Sequence, residues 1–236
     1  MKFEGAKILM GILSYPFIES ECTNSIMGCW EYSKWLCPGT GYPRNDVEYF
    51  LSEGTSPARA HNNAVCKFLD HPGHYKSLMI IGRDHIFKPN ALRMLFEADK
   101  DIIAGITTTR LKSIQEIDKP LYSVVGGYKD GVPQILTKDE CLKKIEEEKN
   151  QPWKVPILGN GVSLIKRKVF EKMPAPWFYE PPISEEEVRK GDFRGTVGCD
   201  ILFCNNAKKY GFELWVHPLV QYVHIGRGYS AVNYTV

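Results

Sequence analysis

The chain has 236 residues, 43% hydrophobic and 25% charged, which suits one large α/β domain and is ordinary for a soluble globular protein. Thirty basic side chains against 28 acidic ones leave a formal charge of +2, so there is no electrostatic case for general nucleic-acid binding, although a local site for one phosphorylated ligand stays open. Seven cysteines, an odd number with no C-x-x-C pair, argue against a zinc site and a disulfide framework and fit reduced thiols in the cytoplasm.

The run 7–13 (KILMGIL) reads as a first buried strand, stopped at Ser14-Tyr15-Pro16 because Pro16 cannot continue a central strand. Its apolar part is too short for a signal peptide, and no segment is long enough to span a bilayer. Residues 19–36 have helical spacing, with Ile26, Trp30 and the end of the segment on one side, before Pro38-Gly39. A second strand is expected over 47–51. A helix follows from Ser56 as N-cap and Pro57 at its first position, with Ala60, Ala64, Val65, Phe68 and Leu69 on the packing face. Its first turns carry Arg59, His61, Asn62 and Asn63, and its free N–H groups favour an anion such as phosphate.

Leu78-Met79-Ile80-Ile81 reads as a fully buried strand, broken by Gly82-Arg83-Asp84-His85 and followed by a helix to Ala98 that Pro89 helps to start. A carboxylate and an imidazole therefore sit just past the carboxyl end of a strand, where open α/β sheets bind ligands. With a further strand over 101–106, the first half reads β-α-β-α-β-α-β, which predicts a largely parallel sheet with helices on both faces and right-handed crossovers.

The second half is looser. Residues 124–128 and 132–136 flank Lys129-Asp130-Gly131 as a hairpin, and a charged helix is expected over 137–149. An extended stretch over 153–158 leads through Gly159-Asn160-Gly161 into a strand at 162–165 and a short helix at 167–173. Residues 177–198 form a long polar loop, of a length that usually marks function or mobility. A helix over 199–210 is capped by Gly211. The chain closes with a strand at 212–216, a turn at His217-Pro218, an extended segment at 219–224 and a flexible tail.

Three residues stand out for chemistry: Asp84 after the central strand, Asp200 at a helix start and His224 after an apolar run. Asp and His both ligate divalent ions such as manganese, and a carboxylate can take a proton from a hydroxyl. Taken singly, each also reads as structural: Asp84 as a turn residue, Asp200 as an N-cap, His224 as a hydrogen-bonded core histidine.

In order along the chain, the segments around Ser14-Tyr15-Pro16, residues 56–65, residues 81–89, Gly159-Asn160-Gly161, Pro176-Trp177-Phe178, Cys199-Asp200 and Trp215 to His224 resemble a family-2-like glycosyltransferase of the GT-A (nucleotide-diphospho-sugar transferase) fold. The resemblance implies a single domain over 1–236, with 1–110 as nucleotide-binding half and 111–236 as acceptor half and closing strand. It implies a mostly parallel central sheet and a nucleoside-diphosphate sugar donor, of UDP or GDP type. It also implies transfer to a glycan or other hydroxyl acceptor, with inversion and with Mn²⁺ or Mg²⁺. Asp84 matches the second Asp of the D-x-D motif and, with His224, would hold the metal; Asp200 matches the catalytic base. Ser14, Tyr15, Pro16, Arg59, Asn63, Arg83 and Asp84 would face the donor, and Gly159, Asn160, Gly161 and Trp177 the acceptor side.

Two positions depart from the family pattern: Gly82 stands where the first Asp of D-x-D belongs, and Cys199 where a Glu precedes the base. A non-catalytic nucleotide- or glycan-binding member is the alternative that Gly82 raises, and an α/β interaction domain without a ligand is a further one. A sugar nucleotidyltransferase would need a Gly-rich basic loop after the first strand, which Ser14-Tyr15-Pro16-Phe17 does not supply. Oligomeric state, donor sugar and acceptor have no signature in the sequence.

Overall fold

The computed structural model describes residues 6–14, 18, 20–34, 45–107, 121–129, 132–180 and 198–224, with backbone alone for 121–129, 132 and 133. The elements in chain order are β1 (Lys7–Ser14), α1 (Ser20–Lys34), β2 (Asp46–Glu53), α2 (Pro57–Asp70), β3 (Ser77–Ile81), β4 (His85–Phe87), α3 (Ala91–Glu97), β5 (Ile102–Thr107), β6 (Leu121–Lys129), β7 (Val132–Thr137), α4 (Lys138–Glu147), β8 (Trp153–Lys154), β9 (Val162–Lys166), α5 (Arg167–Lys172), α6 (Cys199–Lys209) and β10 (Leu214–His224).

Among the described residues an eight-stranded sheet runs β2-β1-β3-β9-β5-β10-β4, with β8 alongside β10, and β6-β7 form a separate hairpin. The pairings set β1, β2, β3, β5 and β10 in one direction and β4, β8 and β9 against it. The fold is thus mixed α/β with a mainly parallel central sheet.

Side-chain alternation along the strands splits the core into two layers. Leu9, Leu78 and Ile80 pack with α2, α5 and α6 through Val65, Phe68, Phe170 and Phe203. Ile8, Met10, Met79 and Ile81 pack with α1 and α3 through Ile26, Cys29, Leu92 and Leu95. Both faces of the sheet are covered, as the unbroken apolar run of β3 requires. All five β3 residues are buried. Each Leu, Ile or Met there contributes roughly 1.5–3 kcal/mol by burial, which makes β3 a firm base for the turn after it.

The local signals read correctly at several places. Ser56 caps α2 by accepting from the Arg59 N–H, with Pro57 at the first helical position. Gly211 adopts φ +83° just past α6, a left-handed conformation that glycine takes without steric cost. The first-half strands β1, β2, β3 and β5 run parallel, as expected, and β9 of the second half enters antiparallel between β3 and β5. Other expectations change.

The turn expected at His217-Pro218 is instead an irregularity inside one long strand. β10 keeps pairing with β5 across a register shift between Val216 and Gln221, so Pro218 sits where a missing N–H costs no ladder bond. The segment after Gly82, read only as a break, contains the short strand β4, paired antiparallel with the end of β10. The extended stretch at 153–158 is a strand only at Trp153–Lys154. Tyr15, Pro16, residues 181–197 of the long loop and the tail after His224 lie outside the described residues. No helix among the described residues is long and apolar enough to cross a membrane.

Candidate metal and ligand site

Topology alone gathers the candidate residues. β1, β3, β5 and β10 end at one rim of the sheet, β9 begins there, and α2 and α6 start beside it. At this rim lies a cavity of about 630 Å³. Its walls include Leu13, Pro57, His61, Arg83, Asp84, His85, Thr107, Gly159-Asn160-Gly161, Glu180, Cys199, Asp200, Tyr222 and His224.

Asp84 is the hub. Its Oδ2 accepts from His224 Nε2 at 3.1 Å, and its Oδ1 lies 3.2 Å from His85 Nδ1. The two imidazoles stack with centroids 4.6 Å apart, and Tyr222 meets the His85 ring edge-on at 5.0 Å. Asp84 and His85 are buried and His224 is half-buried. One ligating atom from each of the three lies within 4.8 Å of the others. Two imidazoles and a carboxylate in that space could hold a divalent cation, and imidazole nitrogen suits a transition metal better than the oxygen-seeking Mg²⁺.

Backbone pairing fixes this cluster. His85 and His224 are register partners of β4 and β10. The turn is tied from both sides: the Gly82 N–H donates to Gly161 O at 2.7 Å, and Cys22 Sγ of α1 donates to Gly82 O at 3.3 Å. The structure also accounts for glycine at position 82. The His85 ring lies where a Cβ at Gly82 would stand, and a Cβ at Gly161 would come within 2.5 Å of His85 Nε2. The space that a side chain at position 82 would enter is filled by the His85 imidazole. Sequence reading missed His85 as a candidate ligand; the available signal was a histidine directly after Asp84 and three residues after Gly82.

Asp200 is the second residue of α6, whose N-cap is Gly198, so its carboxylate is not spent on capping. Its Oδ2 accepts from the Asn160 backbone N–H at 3.3 Å, and its Oδ1 accepts weakly from Cys199 Sγ at 3.6 Å. Burial, with the Asp200 charge beside it, pushes the Cys199 thiol well above the ordinary thiol range. Cys199 is therefore a neutral donor to Asp200 and no nucleophile.

The remaining predicted positions fall as follows. Arg83 lines the cavity and is half-buried. Gly159, Asn160 and Gly161 line it next to Asp200. Ser14 ends β1 next to Leu13, which does line it. Arg59 and Asn63 line a neighbouring hollow. There the Arg59 guanidinium donates to Thr55 Oγ1 and the Asn63 amide to Glu53 O. Trp177 turns inward and its indole N–H donates to Phe170 O and Met173 O, which locks the end of α5.

From α2 it is His61, not Arg59 or Asn63, that reaches the main cavity. Asn62 binds both backbone N–H groups of Trp177 and Phe178, and so brings Phe178 under the His61 ring and sets Glu180 at the mouth. Glu180 Oε1 accepts from the Ala58 N–H at the start of α2. Helical spacing alone does not tell which polar residue of a first turn faces inward; here the partner loop decides.

No protein-family model matches the chain, and no curated protein matches it in sequence. Solved structures do. A197 from STIV aligns over 93% of this chain and 86% of its own length, with a TM-score of 0.55 and 17% identity. GalNAc-T7, solved with UDP, GalNAc and Mn²⁺, aligns over 94% of this chain with a TM-score of 0.55 and 12% identity; this chain spans 44% of its length. The inositol-1-phosphate CTP transferase from T. maritima aligns over 94% of this chain with a TM-score of 0.45 and 12% identity, too weak a match to favour either type of transferase. At these identities the likeness is one of fold: a central sheet with covering helices.

Proposed function

We propose that the chain is a GT-A-type glycosyltransferase that moves a sugar from a nucleoside-diphosphate donor, UDP or GDP, to an acceptor hydroxyl, with inversion and with Mn²⁺ as the preferred ion. One observation carries this reading: the Asp84–His85–His224 donor set and the Asp200 carboxylate line a single cavity at the rim where the parallel strands end. The fold shared with GalNAc-T7, whose structure holds UDP, GalNAc and Mn²⁺, supports it.

In this reading Asp84, His85 and His224 hold the ion, which when bound neutralises charge on the departing diphosphate. Arg83, at the cavity wall, adds a fixed positive charge beside the diphosphate. Asp200 accepts the proton of the acceptor hydroxyl as that oxygen forms its bond to the sugar's anomeric carbon. The bond to the diphosphate oxygen breaks in the same displacement, and the diphosphate leaves with its electron pair. The Asn160 N–H and the Cys199 thiol orient the Asp200 carboxylate and leave lone pairs for that proton. Ser14 with the neighbouring Tyr15 and Pro16 would face the base. The inner wall at Gly159, Asn160 and Gly161 would meet the acceptor or sugar.

The test is transfer from a panel of UDP- and GDP-sugars with Mn²⁺, for wild type and Asp200→Asn. Removal of a general base costs transfer at least ~10²-fold, with donor affinity retained. Near-normal turnover in Asp200→Asn removes the residue from that role. Metal-dependent nucleotide binding without any transfer leaves a non-catalytic binding protein instead.

A further inference from the structure

Three buried side-chain atoms of the cavity wall have no hydrogen-bond partner among the described residues: His61 Nε2 and both amide atoms of Asn160. His61 is 5% exposed and Asn160 1%. A buried polar atom left unpaired is costly, so such atoms persist where water or a ligand completes them.

The protonation of His61 follows from its other nitrogen. Nδ1 lies 2.7 Å from Pro57 O, and a carbonyl only accepts, so Nδ1 carries the hydrogen. In the neutral ring Nε2 is then an acceptor. The ring is held in place: it packs at a tilt of 31° against Phe178 with centroids 4.4 Å apart, and Phe178 stacks on Phe203 of α6 at 4.5 Å. Asn160 is fixed by its backbone, whose N–H donates to Asp200. Its side chain offers one NH₂ donor and one carbonyl acceptor.

This pair carries no formal charge in the neutral state and presents an acceptor, a donor and a second acceptor. Toward a neutral ring, a phosphate oxygen, which only accepts, could use the amide NH₂ alone of the three. A hydroxyl can donate to Nε2 or to the amide oxygen and accept from the amide NH₂. We infer that His61 and Asn160 form a subsite for the sugar of the donor, reading its hydroxyls, an inference that rests on the nucleotide-sugar function proposed above. Asn160 lies beside Asp200 and shares the cavity wall with His61, which agrees: the group to be transferred must lie next to the base. A pyrimidine edge offers similar uncharged donors and acceptors, and the test separates the two.

Calorimetric titrations would use the full chain with Mn²⁺ and UDP, GDP, several UDP- and GDP-hexoses and the free hexoses. His61→Phe keeps the packing against Phe178 and removes the acceptor; His61→Gln returns a carbonyl acceptor. The expected result is that His61→Phe weakens the preferred nucleotide sugar about tenfold, the scale of one hydrogen bond, and leaves the nucleoside diphosphate within about twofold. His61→Gln recovers part of the loss. Equal weakening of nucleotide sugar and nucleoside diphosphate overturns the assignment in favour of the base, and no weakening of either removes the subsite. Should no nucleotide bind wild type, the transferase reading fails separately. The free hexoses then decide: millimolar binding of one of them, lost in His61→Phe, sustains the subsite, and no hexose binding overturns it.

Discussion

At the rim where β1, β2 and β3 begin, Asn45 donates to Ser33 O and accepts from the Ala6 N–H, and Tyr75 donates to Asp46. Arg167, just past β9, gives its guanidinium to the carbonyls of Phe68, Leu69 and Tyr75 and rests on the Phe68 ring. At the rim where those strands end, a glycine pair makes room for an imidazole, Asp84 lies between two histidines, and His61 and Asn160 keep unpaired buried atoms. The same strands supply both rims. One uses its polar groups to tie chain ends together and stabilises the fold. The other holds polar groups ready for something outside the chain, at a cost in stability.

Breaking the closed rim should cost stability and spare the site. Arg167→Ala removes three charge-assisted bonds at once from a largely buried side chain. A loss of about 3 kcal/mol or more is expected in urea unfolding, with ligand affinity of the folded fraction unchanged. A loss of ligand affinity there would mean that the two rims are coupled.

At the open rim the reverse is expected. Gly82→Asp adds a second carboxylate two residues before Asp84, yet its Cβ collides with His85. The imidazole must move, so Mn²⁺ affinity should fall about 10- to 100-fold rather than rise. Tighter Mn²⁺ binding by this variant would show that His85 is not a ligand.

A smaller effect concerns pH. Burial lowers the pKa of His217 to about 4, from an ordinary value near 6.5. The unfolded chain therefore binds the extra proton first. The stability held by neutral His217 is complete above about pH 6.5 and is lost progressively as pH falls towards 4. His217→Asn, which keeps an acceptor for the Leu219 N–H, should flatten that part of the pH–stability curve; an unchanged slope would assign the effect to other groups.

Much of this was legible in the sequence, and the limits have physical reasons. β3 is an unbroken apolar run, and Asp84 follows from where that run stops. The α2 start reads from Ser56-Pro57, and Asp200 sits where α6 was expected. Local signals fix such features. His85 is a different matter, because its role depends on β4 pairing with the far end of β10, a contact that no local pattern encodes. His61 depends in the same way on the loop that Asn62 draws against α2. Asp84, His224 and Asp200, singled out by the resemblance, line one cavity, whereas the reason for Gly82 lies in the His85 ring beside it.

The most direct test of the central claim is a titration of UDP and of GDP into wild type and Asp84→Asn, each with and without Mn²⁺, read by melting temperature. A ligand that binds only the folded state at 100-fold excess over its Kd adds about 2.7 kcal/mol of stability. The account predicts a clear rise in Tm for one nucleotide with Mn²⁺ in wild type. Mn²⁺ omission or Asp84→Asn should abolish most of that rise. A rise of equal size without the ion, or in Asp84→Asn, would contradict the assignment of Asp84, His85 and His224 as the metal site.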